Sequence, residues 1–305
     1  MNAAAYHGEK LCASLVVLLV ALSTPVLASF HLMQIEQVIG GVDGDTTAQA
    51  IQLRMRSLGQ SLVSQAKLVA FDATGSNAIT ILDLTNDVAN SAAGSRVLIV
   101  SSNFLNSTSP TTVPDFILTT PIPSNYLAAG RLAWEQDLGT IYWSLSWGGT
   151  NYTGPTDGSI LNDNDGNFGP AFSGPLPFTS TSALLFTNTA SAASRSNVVD
   201  YVVTSGAAAF TNNAGAGFSV VSKPPVITAI TRESGDIRLA WTTIAGRTNF
   251  VQAMAGDANG GFSNNFVDLS SPIVVPGSGQ VTTNYLDIGG ATNTPSRFYR
   301  IRLVP

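Results

Sequence analysis

The chain contains 305 residues with a formal net charge of −5, and only 11% of its residues are charged. The acidic balance argues against nucleic-acid binding, because the chain lacks the cationic surface that would neutralise phosphates. Scarce charge combined with abundant Ser, Thr, Asn and Gly disfavours exposed helices and is typical of turn-rich β structure.

The N-terminal segment, residues 1–28, is predicted to be a cleaved signal peptide. An apolar run spans Leu11–Leu22, and the small residues Val26 and Ala28 occupy the positions that favour cleavage after Ala28. The run is shorter than the roughly 20 residues that a membrane helix needs. We therefore expect a secreted, extracellular or cell-surface protein with no membrane span in the mature chain. An uncleaved N-terminal anchor is the alternative.

Removal of the signal peptide would leave very few catalytic side chains. Cys12 and His7 would be lost, and His31 would be the remaining histidine. A cysteine nucleophile, a Ser-His-Asp triad and a multi-histidine zinc site are then all disfavoured. The composition thus predicts a protein that is not an enzyme.

Most of the chain after residue 28 shows β-strand patterns. Apolar residues alternate with polar ones in residues 51–55, 141–147 and 299–303, which predicts half-buried strands with one wet face. Uninterrupted apolar runs predict fully buried strands at Arg96–Val100, Phe116–Leu118, Ala183–Phe186 and Tyr201–Val203. Residues 88–94 and 190–197 are predicted to form short helical turns. The fold class that follows is all-β, built of sandwiches.

A short linker divides the strand-rich region. Residues 222–225 read Ser-Lys-Pro-Pro, a stiff extended segment between two sets of strands. We therefore predict two β-sandwich domains in tandem after the signal peptide, over residues 29–221 and 226–305.

Two stretches near the C-terminus carry a family resemblance. Ile237–Gln252 and the closing residues 297–305 (RFYRIRLVP) resemble a bacterial fibronectin type III or immunoglobulin-like module. The resemblance implies that Trp241 fills the core between two sheets. It implies no particular function, because this fold serves many roles.

The N-terminal domain carries a second resemblance. Residues 31–57 are similar to the start of a lamin-tail-like sandwich. Residues 139–149 (GTIYWSLSWGG) and 163–172 (DNDGNFGPAF) resemble an uncharacterised family of secreted bacterial β-sandwich proteins. These resemblances imply a β-sandwich and no established activity.

A loop rich in Asn and Asp is the best candidate metal site. Asn162, Asp163, Asn164 and Asp165 could supply the oxygen ligands that Ca²⁺ prefers. The loop is not an EF-hand, because it lacks the expected bidentate glutamate. The alternative is an ordinary turn between strands that satisfies its own backbone.

An aromatic run in residues 134–152 is the best candidate glycan-binding surface. Trp143 and Trp147 share one face of a predicted strand with apolar neighbours, which places them in the core. Tyr142 and Tyr152 are left free to be exposed, and we predict them as ligand-binding residues that stack on sugar rings.

Three functions remain compatible with the sequence. The first is a secreted, non-enzymatic structural or adhesive protein whose partner is a glycan or a surface protein. The second is a carbohydrate-binding module, with Ca²⁺ as its cofactor if the Asn/Asp loop binds metal. The third is a glycoside hydrolase that uses carboxylates alone, which needs two acids about 5–10 Å apart.

Overall fold

A computed structural model describes residues 29–162, 165–257, 259–277, 279–292 and 296–304. The predicted signal peptide and two of the predicted metal ligands, Asp163 and Asn164, lie outside these residues. The chain is all-β, as predicted. Its strands are β1 (Met33–Ile39), β2 (Ala50–Met55), β3 (Ala66–Phe71), β4 (Ile79–Asp83), β5 (Arg96–Val100), β6 (Thr108–Ser109), β7 (Phe116–Ile117), β8 (Gly130–Gln136), β9 (Ile141–Trp147), β10 (Leu184–Phe186), β11 (Tyr201–Val203), β12 (Ala209–Thr211), β13 (Gly217–Val220), β14 (Val226–Glu233), β15 (Asp236–Ile244), β16 (Thr248–Ala255), β17 (Val267–Asp268), β18 (Ile273–Val274), β19 (Gln280–Asp287) and β20 (Arg297–Val304).

Helical structure in the described residues is confined to short turns. These are Val63–Gln65, Ser102–Asn106, Ser124–Tyr126, Gly149–Asn151 and Asn197–Asp200. The helical turn predicted over residues 88–94 is wrong, because that segment consists of bends and turns. The turn predicted over 190–197 lies a few residues too early, since the helical residues begin where it ends.

Two sheets enclose the main core of the first sandwich. One has six strands in the order β11-β10-β1-β2-β5-β7, and the other has four in the order β4-β3-β8-β9. Trp134, Trp143 and Trp147 lie between them and are fully buried. The prediction that Trp143 and Trp147 belong to the core is confirmed.

A third sheet, of order β12-β13-β6, covers part of the outer face of the six-stranded sheet. Phe210 and Phe218 of this sheet pack with Phe104 against Leu98 and Val100 of β5. The six-stranded sheet is therefore buried on both faces over its central strands. The wet face predicted for β2 is wrong for this reason, since Gln52 is only 3% exposed.

Three further burial predictions are wrong, those for β7, β9 and β11. Ile117 of the edge strand β7 is 41% exposed, although Phe116–Leu118 is predicted to be fully buried. Ser144 and Ser146, on the predicted wet face of β9, are fully buried. Arg131 Nε donates to the Ser144 hydroxyl at 2.7 Å, and the Asn197 side chain contacts the Ser146 hydroxyl at 3.1 Å, so other polar side chains cover this face. Conversely, Val202 and Val203 of β11 are about half exposed, because β11 is an edge strand of its sheet.

The C-terminal strands form a second sandwich. One sheet has the order β14-β15-β19, and the other places β16 beside β17, β18 and β20. Trp241 is fully buried in its core with Leu239 and Val251, which confirms the expected place of this tryptophan. Within the described chain, no strand pairs across residues 222–225.

A polar chain of contacts crosses the first sandwich. The indole N–H of Trp143 on β9 donates to the Tyr201 hydroxyl at 2.9 Å. The hydroxyl in turn donates to the Ile35 carbonyl on β1. Tyr201 is buried, and burial raises the pKa of its phenol far above its ordinary value. This one hydroxyl thus satisfies polar groups of both sheets.

Replacement of that hydroxyl should destabilise the sandwich. We expect Tyr201→Phe to lower the free energy of unfolding by about 1–3 kcal/mol, because the Trp143 N–H loses its acceptor in a buried place. Tyr142→Phe is the matched control, since its hydroxyl makes one long contact of 3.3 Å with Gln136. Urea denaturation measures both, and equal losses in the two variants would contradict the bridging role of Tyr201.

Candidate functional site

The two predicted ligand-binding tyrosines are buried. Tyr142 is 6% exposed and packs edge-on against Phe30, with ring centroids 5.6 Å apart. Tyr152 is 7% exposed, and its hydroxyl donates to the Pro155 carbonyl at 2.8 Å. The expected exposure of both side chains is wrong, because Tyr142 packs on Phe30 and Tyr152 packs with Ala129 and Ala171.

The predicted metal loop is described only at its ends. The Asn162 side chain is buried; its amide N–H groups donate to the carbonyls of Met33 and Tyr142, and its oxygen accepts from Arg56 Nη1 at 2.7 Å. Asp165 is exposed and accepts from the Asn167 N–H at 2.9 Å. Asn162 thus anchors the loop to β1 and β9. Calcium binding at the loop stays a prediction, since Asp163 and Asn164 lie outside the described residues.

A different group of polar side chains converges on the outer face of the six-stranded sheet. Its origin is a β-bulge in β1: Ile35 pairs with Leu53 and Gln37 pairs with Gln52, so Glu36 is an extra residue. A bulge places two consecutive residues opposite one on the partner strand and redirects their side chains. Glu36 and Gln37 therefore both line the outer face.

Glu36 is the centre of a buried ion-pair cluster. Its carboxylate contacts Arg54 Nη1 at 2.8 Å and Arg96 Nε at 2.7 Å, and it accepts from Gln52 Nε2 at 2.7 Å. The carboxylate side chain is 4% exposed. An acid buried in this way needs opposite charge and hydrogen bonds, and this one has both.

The guanidinium groups of Arg54 and Arg96 differ in how far their N–H donors are used within the protein. Arg54 is 12% exposed, and its Nη2 donates to the Asn188 carbonyl at 2.7 Å. With its amide oxygen turned toward Arg54, Gln34 accepts from the same guanidinium. Burial lowers the pKa of Arg54, and the Glu36 charge opposes that shift. Arg96 is 36% exposed and uses Nε and Nη2 on Glu36, which leaves guanidinium donors directed to solvent.

A cleft of about 450 Å³ opens beside this cluster. Glu36, Gln37, Arg54 and Arg96 form its polar floor, and further lining comes from Gln52, Leu185, Phe186, Thr187, Asn188, Ala209 and Thr211. Gln37 is 4% exposed, and its amide nitrogen is buried with no hydrogen-bond partner among the described residues. Buried polar groups without a partner are rare in folded proteins, and this nitrogen is enclosed by the protein beside the cleft.

A second cleft, of about 470 Å³, lies at the opposite side of β5 and is lined by residues that include Asp115 and Asn213. The Asp115 carboxylate accepts from the backbone N–H groups of Leu98 and Asn213 at 2.7 and 2.8 Å. Burial raises the pKa of this carboxyl, and those two hydrogen bonds oppose the shift. Asp115 therefore ties β5 to the chain around Asn213.

Sequence reasoning missed the Glu36 cluster. A signal was present, since Gln and Glu at positions 34 and 36, Gln and Arg at 52 and 54, and Arg96 are polar residues within strongly apolar strands. The bulge that aligns them depends on strand pairing and could not be read from the sequence.

Comparison with known proteins leaves the site to be interpreted from its own geometry. No protein-family model, curated protein or solved structure matches this chain.

Two further kinds of site are absent from the described residues. They contain no group of three or more His, Cys, Asp or Glu side chains arranged to hold a metal ion. They also contain no helix that is long and apolar enough to cross a membrane.

The charge of Glu36 should be essential to stability. We expect Glu36→Gln to lower the free energy of unfolding by about 3–5 kcal/mol, because it leaves two guanidinium groups around a neutral amide. Glu233→Gln is the matched control, since Glu233 pairs with Arg238 at the surface and exposed pairs contribute little. Chemical denaturation compares the two, and a loss at Glu36 no larger than that at Glu233 would contradict the structural role of the cluster.

Proposed function

We propose that this chain is a secreted, non-catalytic β-sandwich protein with a structural or adhesive role outside the cell. Recognition would take place on the first sandwich, and the C-terminal sandwich, which resembles an immunoglobulin-like module, would serve as a spacer or attachment element. The proposal combines the predicted signal peptide with the way the described acidic side chains are used.

The observation that carries the proposal is that buried carboxylates hold the fold together. Glu36 is held by Arg54 and Arg96. Asp200 is fully buried and accepts from Arg195 Nε at 2.8 Å and from the N–H groups of residues 195 and 196. A carboxylate fixed by cationic partners is poorly suited to act as a general acid or nucleophile.

Asp43 is another buried carboxylate held by partners within the protein, and it connects the two sandwiches. It is 2% exposed, accepts from the Ser222 hydroxyl at 2.7 Å, and contacts Arg247 Nη2 at 3.1 Å. Ser222 belongs to the predicted linker and Arg247 to the second sandwich. This acid therefore supports a spacer arrangement in which the linker is anchored to the first sandwich.

Glu135 is one of the described acids that a hydrolase could use, beside Asp115 in the second cleft. It is 6% exposed, and burial raises the pKa of its carboxyl, whereas the charges of Lys67 and Arg131 oppose that shift. Lys67 lies directly opposite Glu135 across the sheet, and Asp83 lies opposite Lys67 on the other side. Lys67 therefore lies between Glu135 and Asp83. In a glycosidase, the sugar has to lie between the two acids.

A carbohydrate-binding role is the second candidate. The observation that favours it is the cleft beside Glu36, which presents amide, hydroxyl and guanidinium groups of the kind that bond to sugar hydroxyls. Its volume of about 450 Å³ lies within the range of about 300–1,000 Å³ typical of small-ligand sites. The tyrosines predicted to stack on sugars take no part, because both are buried.

The non-catalytic proposal predicts no turnover. Incubation of the protein with a panel of plant, algal and bacterial polysaccharides should release no reducing ends above a heat-treated sample, because the buried acids are fixed in the fold. Release of reducing ends that Glu135→Gln abolishes would overturn the proposal. Glu233→Gln, at the surface of the second sandwich, is the control for an unspecific effect of the substitution.

The carbohydrate-binding candidate predicts retention on a glycan array that a chelator does not alter. Asn162 uses its amide on Arg56, Met33 and Tyr142, and the cleft beside Glu36 needs no metal to present its donors. Binding that disappears with chelator and with Asp163→Asn would instead assign recognition to a calcium site in the 162–165 loop. If the protein binds no glycan either with or without chelator, the carbohydrate-binding candidate is wrong.

A further inference from the structure

The first sandwich meets the second at the turn between β1 and β2. This turn is held on the first sandwich, since the Asp43 N–H donates to the Ser180 carbonyl at 3.2 Å and the Gly44 N–H donates to the Phe178 carbonyl at 2.7 Å. Asp43 has a φ of 51°, in the left-handed region that Asp and Asn tolerate better than most residues. The turn therefore presents the Asp43 carboxylate in one fixed direction.

The contact surface on the second sandwich is also fixed. Arg247 lies in the turn between β15 and β16, where the Ala245 N–H donates to the Gly279 carbonyl at 2.9 Å. Gly279 approaches the first sandwich so closely that a Cβ atom on it would lie 3.3 Å from the Asp45 Cα atom. The two backbones meet there without a side chain of Gly279 between them.

The Asp43 carboxylate links these two surfaces and the linker. Its Oδ1 contacts Arg247 Nη2 at 3.1 Å, and its Oδ2 accepts from the Ser222 hydroxyl at 2.7 Å. The Asp43 side chain is 3% exposed, whereas that of Arg247 is 31% exposed. Loss of the arginine would therefore leave a buried charge without compensation.

The packing around this ion pair leaves little free space. Residues of both sandwiches and of the linker enclose a cavity of about 10 Å³, which is about the space of one water molecule. The cavity is lined by Val42, Asp43, Asp45, Ser107, Lys223, Ile244 and Gln280. A joint packed in this way favours one orientation of the two sandwiches.

Net charge also favours the contact between the sandwiches. Residues 29–221 contain 13 acidic and 6 basic side chains, whereas residues 222–305 contain 5 acidic and 7 basic side chains. The first sandwich is thus negative and the second positive at neutral pH. Their attraction supports the docked arrangement.

A short stretch of chain separates the last anchored residue of the linker from the second sandwich. The Val221 N–H donates to the Ser107 carbonyl at 2.9 Å. The Ser222 hydroxyl donates to Asp43, so the chain is held on the first sandwich up to that point. Three residues, 223–225, then lead into β14.

We propose that the Asp43–Arg247 ion pair is a latch that docks the second sandwich on the first in one orientation. Residues 223–225 are the hinge about which the second sandwich turns when the latch opens. The docked form is a rigid spacer, whereas the open form is a flexible tether. The inference is independent of what the first sandwich recognises, because it concerns only how the two sandwiches are held together.

The distance between two spin labels, measured by pulsed electron paramagnetic resonance, tests the latch. The labels are attached through Leu138→Cys and Ile288→Cys, at positions that are 89% and 82% exposed, one on each sandwich. The full chain also carries Cys12→Ser, so that no other cysteine is labelled. We expect one narrow distance distribution, and a broad one in this chain would overturn the proposal.

Arg247→Leu should open the latch. We expect the docking equilibrium to shift at least about a hundredfold toward the open form, as removal of one partner of a buried ion pair implies. The distance distribution should then become broad. Asp43→Asn should broaden it less, because the arginine that loses its partner is partly hydrated and Asn tolerates the left-handed backbone. Arg238→Leu is the matched control and should leave the distribution narrow, since Arg238 pairs with Glu233 within the second sandwich.

Near-ultraviolet circular dichroism checks that both sandwiches remain folded, because each contains buried tryptophan. If Arg247→Leu changes this spectrum, Asp43→Asn carries the test. Narrow distance distributions in the latch variants that keep the native spectrum would overturn the latch.

Replacement of the linker prolines by Pro224→Gly and Pro225→Gly separates the latch from the stiffness of the linker. In the otherwise unchanged labelled chain the distribution should stay narrow, because the latch sets the orientation. Combined with Arg247→Leu, the same replacements should widen the distribution further, since glycine is more flexible than proline. A broad distribution from the glycine replacements alone would assign the fixed orientation to the stiff linker and overturn the proposal.

Discussion

The structure of the first sandwich depends on one sheet that is covered on both faces. A sheet with one wet face can leave polar side chains to water, but the central strands of this sheet cannot. Polar residues of β1, β2 and β5 must therefore satisfy one another. Arg54 of β2 and Arg96 of β5 both contact Glu36 of β1. The buried charge of Glu36 is thereby compensated, and its ion pairs connect three strands.

The bulge in β1 determines which side chains line the outer face beside this stabilising cluster. The extra residue brings Glu36 and Gln37 to the same face, where a regular strand would turn one of them into the apolar core. Glu36 completes its contacts within the protein, whereas the amide nitrogen of Gln37 has no partner among the described residues. The same backbone irregularity thus places a compensated carboxylate next to an amide whose nitrogen is enclosed by the protein.

Periodicity and composition predicted the fold class because they report local properties. The strands at 96–100 and 141–147 and the core positions of Trp143 and Trp147 follow from alternation and apolar runs. Whether the second face of a strand is exposed depends on contacts with distant parts of the chain. The sequence-based prediction of that exposure was wrong here. Tyr142 and Ser146 read as exposed residues of β9, yet chain segments distant in sequence cover them. The Glu36 cluster was missed for the same reason, since its members come from three strands and a bulge that only pairing reveals.

The position of β1 within its sheet has a consequence for folding. Its two neighbours are β2, which begins at Ala50 after ten intervening residues, and β10, which begins at Leu184. The strand nearest the described N-terminus therefore remains half unpaired until well over a hundred further residues have been synthesised. Such non-local pairing slows folding and exposes an open strand edge on the way. A chain emerging from the ribosome therefore carries an open β1 edge until β10 is available to pair with it.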